Sequence, residues 1–304
     1  MSKIGVLASV AAMALLPLAS PAHARAKPAA AAPADACDRR CLLSALTEYG
    51  DGMLLNTTSR LKVAADVRVT YNGMVGSLGK SEVWGQVKRL PYRLTLVDAE
   101  TGTAAMLATL TNGPTRDAEK WWFFVVRLKI AHRQITEVEE IAFDGTLGGI
   151  PASTLHEPDR IFDTLLPEEE RVDRTKLFDI ANQYFDAVSK RVDYHSVPWH
   201  PECQRLELGA YTVNSGLNNG SCGTEFEVPR VKWNVENRRF YIADVQRGVV
   251  AAMGNFTTPP EYPNNNGSVV FEIFKVQDGM IRHIEAFFRG NGQLHSGWGT
   301  GPGS

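Results

Sequence analysis

The 304-residue chain has only 4 cysteines and a formal net charge of −2, and after Leu18 it has no apolar run long enough to span a membrane. Near-neutral charge gives no electrostatic footprint for nucleic acid, so none is expected as a partner. The sequence holds no G-x-G-x-x-G, no P-loop, no G-x-S-x-G and no H-E-x-x-H, which removes the common nucleotide, nucleophilic-serine and zinc-protease signatures. No cluster of His, Cys, Asp and Glu has metal-ligand spacing, so neither metal nor cofactor is expected, and any chemistry falls to side-chain acids and bases. A composition of 44% hydrophobic and 22% charged residues fits an ordinary globular protein.

The N-terminus is different. Lys3, an apolar run from Ile4 to Leu18, and Ala22-His23-Ala24 form a secretory signal with cleavage after Ala24. The run is shorter than the roughly 20 residues of a spanning helix. A periplasmic or secreted location follows, where disulfides persist. Four cysteines allow three connectivities. Proximity favours Cys37–Cys41 and Cys203–Cys222, although a pair four apart at a helix start is geometrically tight. A zinc site is the rival reading, but the spacing matches no common zinc pattern.

The chain also repeats itself. VVRLKIAHRQITEVEEIA (Val125 to Ala142) and FEIFKVQDGMIRHIEAFF (Phe271 to Phe288) align at an offset of 146 residues. The same offset matches Arg93 with Arg239, Asp98 with Asp244 and Gly102 with Gly248, each inside a strand, an Asp-x-x-x-Gly turn and a returning strand. Nearer the start of each half the offset falls to about 136, and Val67 to Gly73 meets Cys203 to Gly209. An apolar helical stripe opens each half: Leu42, Leu43, Leu46, Tyr49 and Met53, then Leu177, Ile180, Ala181, Tyr184, Phe185 and Val188, the second capped by Asp173. Ile281 and Ile284, like Ile135 and Val138, stand an odd number apart, which predicts a β-bulge in each copy.

The predicted organisation is a signal peptide over 1–24, an Ala/Pro-rich leader over 25–36, a first domain over 37–146, a connector over 147–172, a second domain over 173–289 and a Gly-rich tail over 290–304 anchored by Trp298. The fold class is α+β, with two tandem cone-shaped barrels, each a curved, mostly antiparallel sheet wrapped around its opening helix.

The hairpin K-x-x-x-G-x-I-x-x-I-E and the helix carrying Tyr184 to Ala187 resemble the nuclear-transport-factor-2-like, or ketosteroid-isomerase-like, superfamily. Cys37 to Trp298 is similar to its secreted tandem members. The motifs are Cys37-Asp38-Arg39-Arg40-Cys41-Leu42, the run His200 to Gly209, and Ser296 to Trp298. The resemblance implies a cone with an internal pocket, acid/base groups near His200 or on the terminal strand, no cofactor, and a small-molecule substrate. A homo-oligomer is also expected. Among the activities of the superfamily are isomerases, dehydratases, epoxide hydrolases, binders, and lyases that release formaldehyde from lignin-derived aromatic dimers. The last is the specific activity to which the resemblance points here, with isomerase or dehydratase chemistry, or plain binding of an apolar ligand, as alternatives.

Comparison of the copies separates scaffold from site. Arg93/Arg239, Asp98/Asp244, Lys129/Lys275 and Glu139/Glu285 occur twice and read as turn and strand-surface residues. In contrast, the face carrying Val67, Val69 and Tyr71 in the first half carries Cys203, Arg205 and Glu207 in the second. That face points either into the cone or to solvent. His200, Arg205 and Glu207 are the candidate catalytic groups. Tyr184, Tyr211, Trp233 and His283 are candidate substrate contacts, His283 because Glu137 is its unlike match. Aromatics in both halves suit a flat aromatic ligand.

Overall fold

The computed structural model describes residues 36–113, 120–146, 151–213, 233–257 and 268–290, with Gly220, Cys222, Gly223, Phe226 and Trp298. The signal expected over 1–24 and the leader expected over 25–36, its last residue apart, lie outside these residues. No helix among the described residues is long and apolar enough to cross a membrane.

Each half opens on a helix. Helix α1 (Arg39–Leu55) starts at Asp38, whose carboxylate accepts from the Cys41 N–H, and ends at Asn56 in the left-handed conformation. Helix α2 (Arg174–Val188) starts at Asp173, which accepts from the Lys176 N–H. Both caps satisfy a backbone donor that has no partner inside the helix. In each helix most of the apolar stripe is buried, Leu42, Leu46, Tyr49 and Met53 in α1 and Leu177, Ile180, Ala181, Tyr184 and Phe185 in α2, while Leu43 and Val188 at its edges are half-buried.

The first sheet comprises β1 (Val63–Tyr71), β2 (Met74–Val75), β3 (Arg89–Asp98), β4 (Thr103–Thr111), β5 (Trp121–Ala131) and β6 (Gln134–Asp144), in the order β2-β1-β6-β5-β4-β3. The second comprises β7 (Trp199–Glu207), β8 (Ala210–Tyr211), β9 (Asn234–Asp244), β10 (Val249–Thr257), β11 (Ser268–Gln277) and β12 (Met280–Gly290), in the equivalent order β8-β7-β12-β11-β10-β9. One pair in each sheet is parallel, β1 with β6 and β7 with β12; the others are antiparallel. The expected bulges are present as register shifts at Lys129/Ile130 and Lys275/Val276. The chain is therefore two tandem α+β cones.

The concave face of each sheet packs on its own helix. The convex faces pack against each other, with Leu94, Leu107, Phe123 and Phe143 of the first meeting Ile242, Met253, Phe271 and Phe287 of the second. Phe123 and Phe287 stand edge to face at 5.0 Å. Strands β4 and β10 are buried on both faces for this reason, which explains their continuous apolar runs.

The duplicated polar residues build this seam. Asp98 pairs with Arg174 at 2.6 Å and accepts from the Ala243 N–H at 3.0 Å, and Asp244 pairs with Arg39. Each cone's turn thus holds the other cone's helix start. Lys129 and Lys275 donate to the turn carbonyls of Thr101 and Arg247, each at 2.5 Å. Gly102 and Gly248 have positive φ in those turns, where a Cβ would run into the Ile130 and Val276 carbonyls.

Glu139 and Glu285 are not strand-surface residues, contrary to the expectation from the sequence; they are 1% and 0% exposed. The reason is that the outer face of each sheet is covered by the other sheet. Glu139 accepts from Arg127 at 3.0 Å, Arg239 at 2.7 Å and Tyr241 at 3.2 Å. Glu285 accepts from Tyr92 at 2.5 Å and forms no ion pair among the described residues. Trp298 stacks on Arg68 and Arg127 at 4.0 and 4.7 Å and donates to Thr70 at 2.8 Å, fastening a residue of the tail to the first cone. Three short 3-10 turns, Ala152–Thr154, Arg160–Phe162 and Glu168–Glu170, punctuate the segment between the cones.

Both disulfides have the pairing that proximity favoured, Cys37–Cys41 and Cys203–Cys222. The second closes a loop of 19 residues' separation and is buried at both ends. Replacing Cys203 and Cys222 by Ala should cost about 3 kcal/mol through loop-closure entropy. Urea unfolding checks this; a loss below 1 kcal/mol would mean that the bridge constrains little.

Candidate functional site

The second cone encloses a cavity of about 510 Å³, and it lies over β7 between α2 and the far ends of β10 to β12. Aromatic rings form much of the described wall: Tyr184 from α2, Tyr194 from the following 3-10 turn, and Phe226, Trp233, Phe256 and Phe288. Arg205 and Glu207 are its charged residues on β7. The face left open by the sequence therefore points inward. Cys203 and Arg205 are 0% and 1% exposed, and Val69, at the position of Arg205 in the first cone, is buried there.

Arg205 is held at its Nε by Thr212 Oγ1 at 2.9 Å and by Glu207 Oε1 at 3.1 Å. Glu207 is 27% exposed, so its carboxylate reaches the cavity while the guanidinium is sealed behind it. A buried cation needs such a partner, because an isolated charge in the interior costs several kcal/mol.

Sequence comparison had passed over Glu272, on β11. It is 1% exposed, accepts the Tyr184 hydroxyl, and feels both Arg205 and Glu207. Burial pushes its carboxyl up to about 8, the nearby Glu207 adding to the effect, so Glu272 keeps its proton at neutral pH. Burial also holds the Tyr184 hydroxyl protonated.

The strand register shows how these groups converge. Glu207 pairs with Ala286 across β7 and β12, and Ala286 pairs with Glu272 across β12 and β11. The three side chains form one row on the concave face, two carboxylates flanking a methyl group. Their outer strands are two spacings apart, roughly 10 Å. The matching row of the first cone is Tyr71, Glu140 and Val126. There the carboxylate is central and its neighbours are not charged. Glu140 accepts from Tyr49 at 2.7 Å and from the Trp84 indole at 2.8 Å, and Trp84 packs into the first core. The signal for Glu272 was thus in the repeat itself, as a glutamate opposite Val126.

Trp233 and Tyr184 line the cavity. His200 is not in the described lining; its Nδ1 accepts from the Glu202 N–H at 3.1 Å. His283 is on the opposite face of the sheet, under Phe162 at 5.1 Å and with Nδ1 3.7 Å from Asp159. Burial lowers it to about 4. Tyr211 is 46% exposed near Asp159 and Glu285, outside the described lining of the cavity. Among the described residues, no group of three or more His, Cys, Asp or Glu has the geometry of a metal site.

Residues 170–288, which contain the second cone, match a family model described as a domain of unknown function, DUF8021. No curated protein matches the chain. Several solved structures are similar over 38% of this chain, among them the following three. A protein from Kribbella flavida described as a ketosteroid isomerase is 14% identical over 78% of its own length, with a TM-score of 0.29. An M. tuberculosis LEH-like epoxide hydrolase is 18% identical over 84%, with a TM-score of 0.30. A protein from Sphaerobacter thermophilus is 13% identical over 94%, with a TM-score of 0.28.

Proposed function

We propose that the second cone is the working site of an exported, cofactor-independent acid/base enzyme that acts on an aromatic small molecule. The observation that carries this reading is the row Glu207–Ala286–Glu272: Glu207 lines the aromatic-walled cavity, and Glu272, buried behind that wall, is joined to it through Tyr184, which also lines the cavity. A pair of carboxylates in unlike environments is what acid/base catalysis at neutral pH requires. Glu207, ion-paired to Arg205, acts as the base. Glu272, which carries a proton below about pH 8 and holds Tyr184, acts as the acid. A binding protein would need only the apolar wall.

The reaction put first is formaldehyde release from a lignin-type aromatic dimer. The substrate enters with its ring phenol ionised; the Tyr184 hydroxyl turns to give its proton to the benzylic oxygen and takes that of Glu272 in its place, and as the oxygen leaves the phenolate electrons flow in to give a quinone methide. Glu207 takes the proton of the primary alcohol. The carbon–carbon bond breaks, formaldehyde departs, the bonding pair becomes the new side-chain double bond, and the quinone methide returns to an aromatic phenolate; the proton now on Glu207 is returned to Glu272 before the next turnover. Arg205 balances the charge on Glu207 throughout.

The test is a formaldehyde assay on a panel of aromatic dimers across pH 5 to 10. Turnover should fall as pH rises through about 8, because Glu272 then loses the proton it donates. Turnover that still rises above pH 9 would remove Glu272 from the acid role.

A further inference from the structure

Among the described residues, the wall of the second cavity holds four charged side chains, Lys190, Asp193, Arg205 and Glu207. Three of them have partners. Arg205 is sealed and bonded to Glu207 and Thr212. Asp193 is exposed and accepts from the His195 N–H at 3.0 Å, opening the turn Tyr194–Ser196. Lys190 is also exposed, so it stands where the cavity meets solvent, and its side chain has no ion pair or hydrogen bond among the described residues.

The backbone of Lys190 sets it apart further. Its N–H donates to the Ala187 carbonyl at 2.9 Å, and the Arg191 N–H to that of Asp186 at 2.8 Å. These are the paired bonds of a Schellman motif, whose central residue is usually glycine and sometimes asparagine. The first cone follows that rule. Asn56 closes α1 with φ 50°, between bonds from its own N–H to Met53 and from the Thr57 N–H to Gly52. Lys190 adopts the same conformation, with φ 53°. A lysine gains nothing from a left-handed backbone, so the reason for it lies in the side chain, whose ammonium is set at an aromatic-walled chamber.

We propose that Lys190 selects the ionised form of a phenol, pairing its ammonium with the phenolate oxygen while Tyr194, Trp233 and Phe256 hold the flat ring. The proposal rests on the reading that this cavity is the working site, and it adds the charge state of the ligand. It also removes a conflict within the reaction. A free phenol ionises near pH 10, as tyrosine does, whereas Glu272 keeps its proton only below about pH 8. Phenolate and protonated acid coexist at neutral pH when a neighbouring ammonium favours the phenolate. Arg205 is not placed to do this, because Glu207 already offsets its charge.

Titration of the full chain with 4-nitrophenol, whose ionised form is read by its visible absorbance, tests the proposal. The phenolate should bind about tenfold more tightly than the phenol, the scale of a hydrogen bond to a charged group. Bound nitrophenol should then stay ionised to about one pH unit lower than free nitrophenol. The neutral 4-nitroanisole should bind about tenfold more weakly than the phenolate. Lys190→Asn installs the residue that closes α1, so it should unfold at no lower urea concentration than the wild type, and it should bring phenol and phenolate within about twofold of each other. Lys190→Arg should keep the preference, and Lys62→Met, at an exposed lysine of the first cone, should leave it unchanged. Equal binding of 4-nitroanisole and the phenolate, absence of binding, or a preference that survives in Lys190→Asn would overturn the proposal. A phenolate preference that depends on Lys190, without turnover of any aromatic dimer, would defeat the catalytic reading and leave this one standing. Turnover that depends on Glu207, with KM and ligand preference unchanged in Lys190→Asn, would do the reverse.

Discussion

Glu207→Gln is expected to lower turnover by about 100-fold or more, the usual scale for loss of a catalytic acid or base. The amide keeps the shape of the side chain and can still accept from Arg205, so the fold should not change. Glu272→Gln should cost a similar factor, because it removes the proton that the buried carboxyl carries up to about pH 8. Its effect should shrink at pH 9, where wild-type Glu272 is itself ionised. The control is Glu140→Gln in the first cone, also a buried glutamate under a helix tyrosine, which should leave turnover within about twofold. Steady-state rates for the three variants decide the matter. Equal losses in all three would indicate a general packing effect, and no loss in Glu207→Gln would remove Glu207 from the chemistry.

The second large effect concerns the seam. Glu139→Leu should destabilise the protein by about 3–5 kcal/mol, because it leaves Arg127 and Arg239 buried without their shared carboxylate. Glu285→Leu, at the equivalent position, leaves no cation behind. It orphans only the Tyr92 hydroxyl, which costs about 1–3 kcal/mol. Its cost should also depend on pH. Burial raises Glu285 to about 7, so the native state favours its protonated form. That contribution is fully present below about pH 4.5 and is lost as pH rises through 7. Glu285→Leu should therefore be less harmful at pH 8 than at pH 5. Urea unfolding of both variants at the two pH values checks this; equal losses at the two positions would mean that the charge asymmetry of the seam has no energetic weight.

The repeat made the two cones legible. The helix stripes ending in Tyr49 and Tyr184, the Asp-x-x-x-Gly turns and the odd spacing of the isoleucines all correspond to features of the structure. The seam was not legible, because alternation shows that a strand has two faces but not that a second sheet covers the outer one. That is why Glu139 and Glu285 read as exposed. Arg205 and Glu207 stood out because they replace Val69 and Tyr71. Glu272 replaces Val126 by the same logic, but it lies inside the apolar run Ser268–Gln277, where it does not stand out. His200 attracted notice as a histidine beside the charged strand. At roughly 3.3 Å per residue, its five-residue distance from Arg205 sets it near the other end of β7.

The most direct test of the central claim, that the second cone is the one that works, is a crystal structure of the protein with an aromatic ligand bound. The account predicts density between Tyr184, Glu207 and Trp233, with Trp84 still donating to Glu140 in the first cone. Density in the first cone alone, with Trp84 displaced and the second cavity empty, would contradict it.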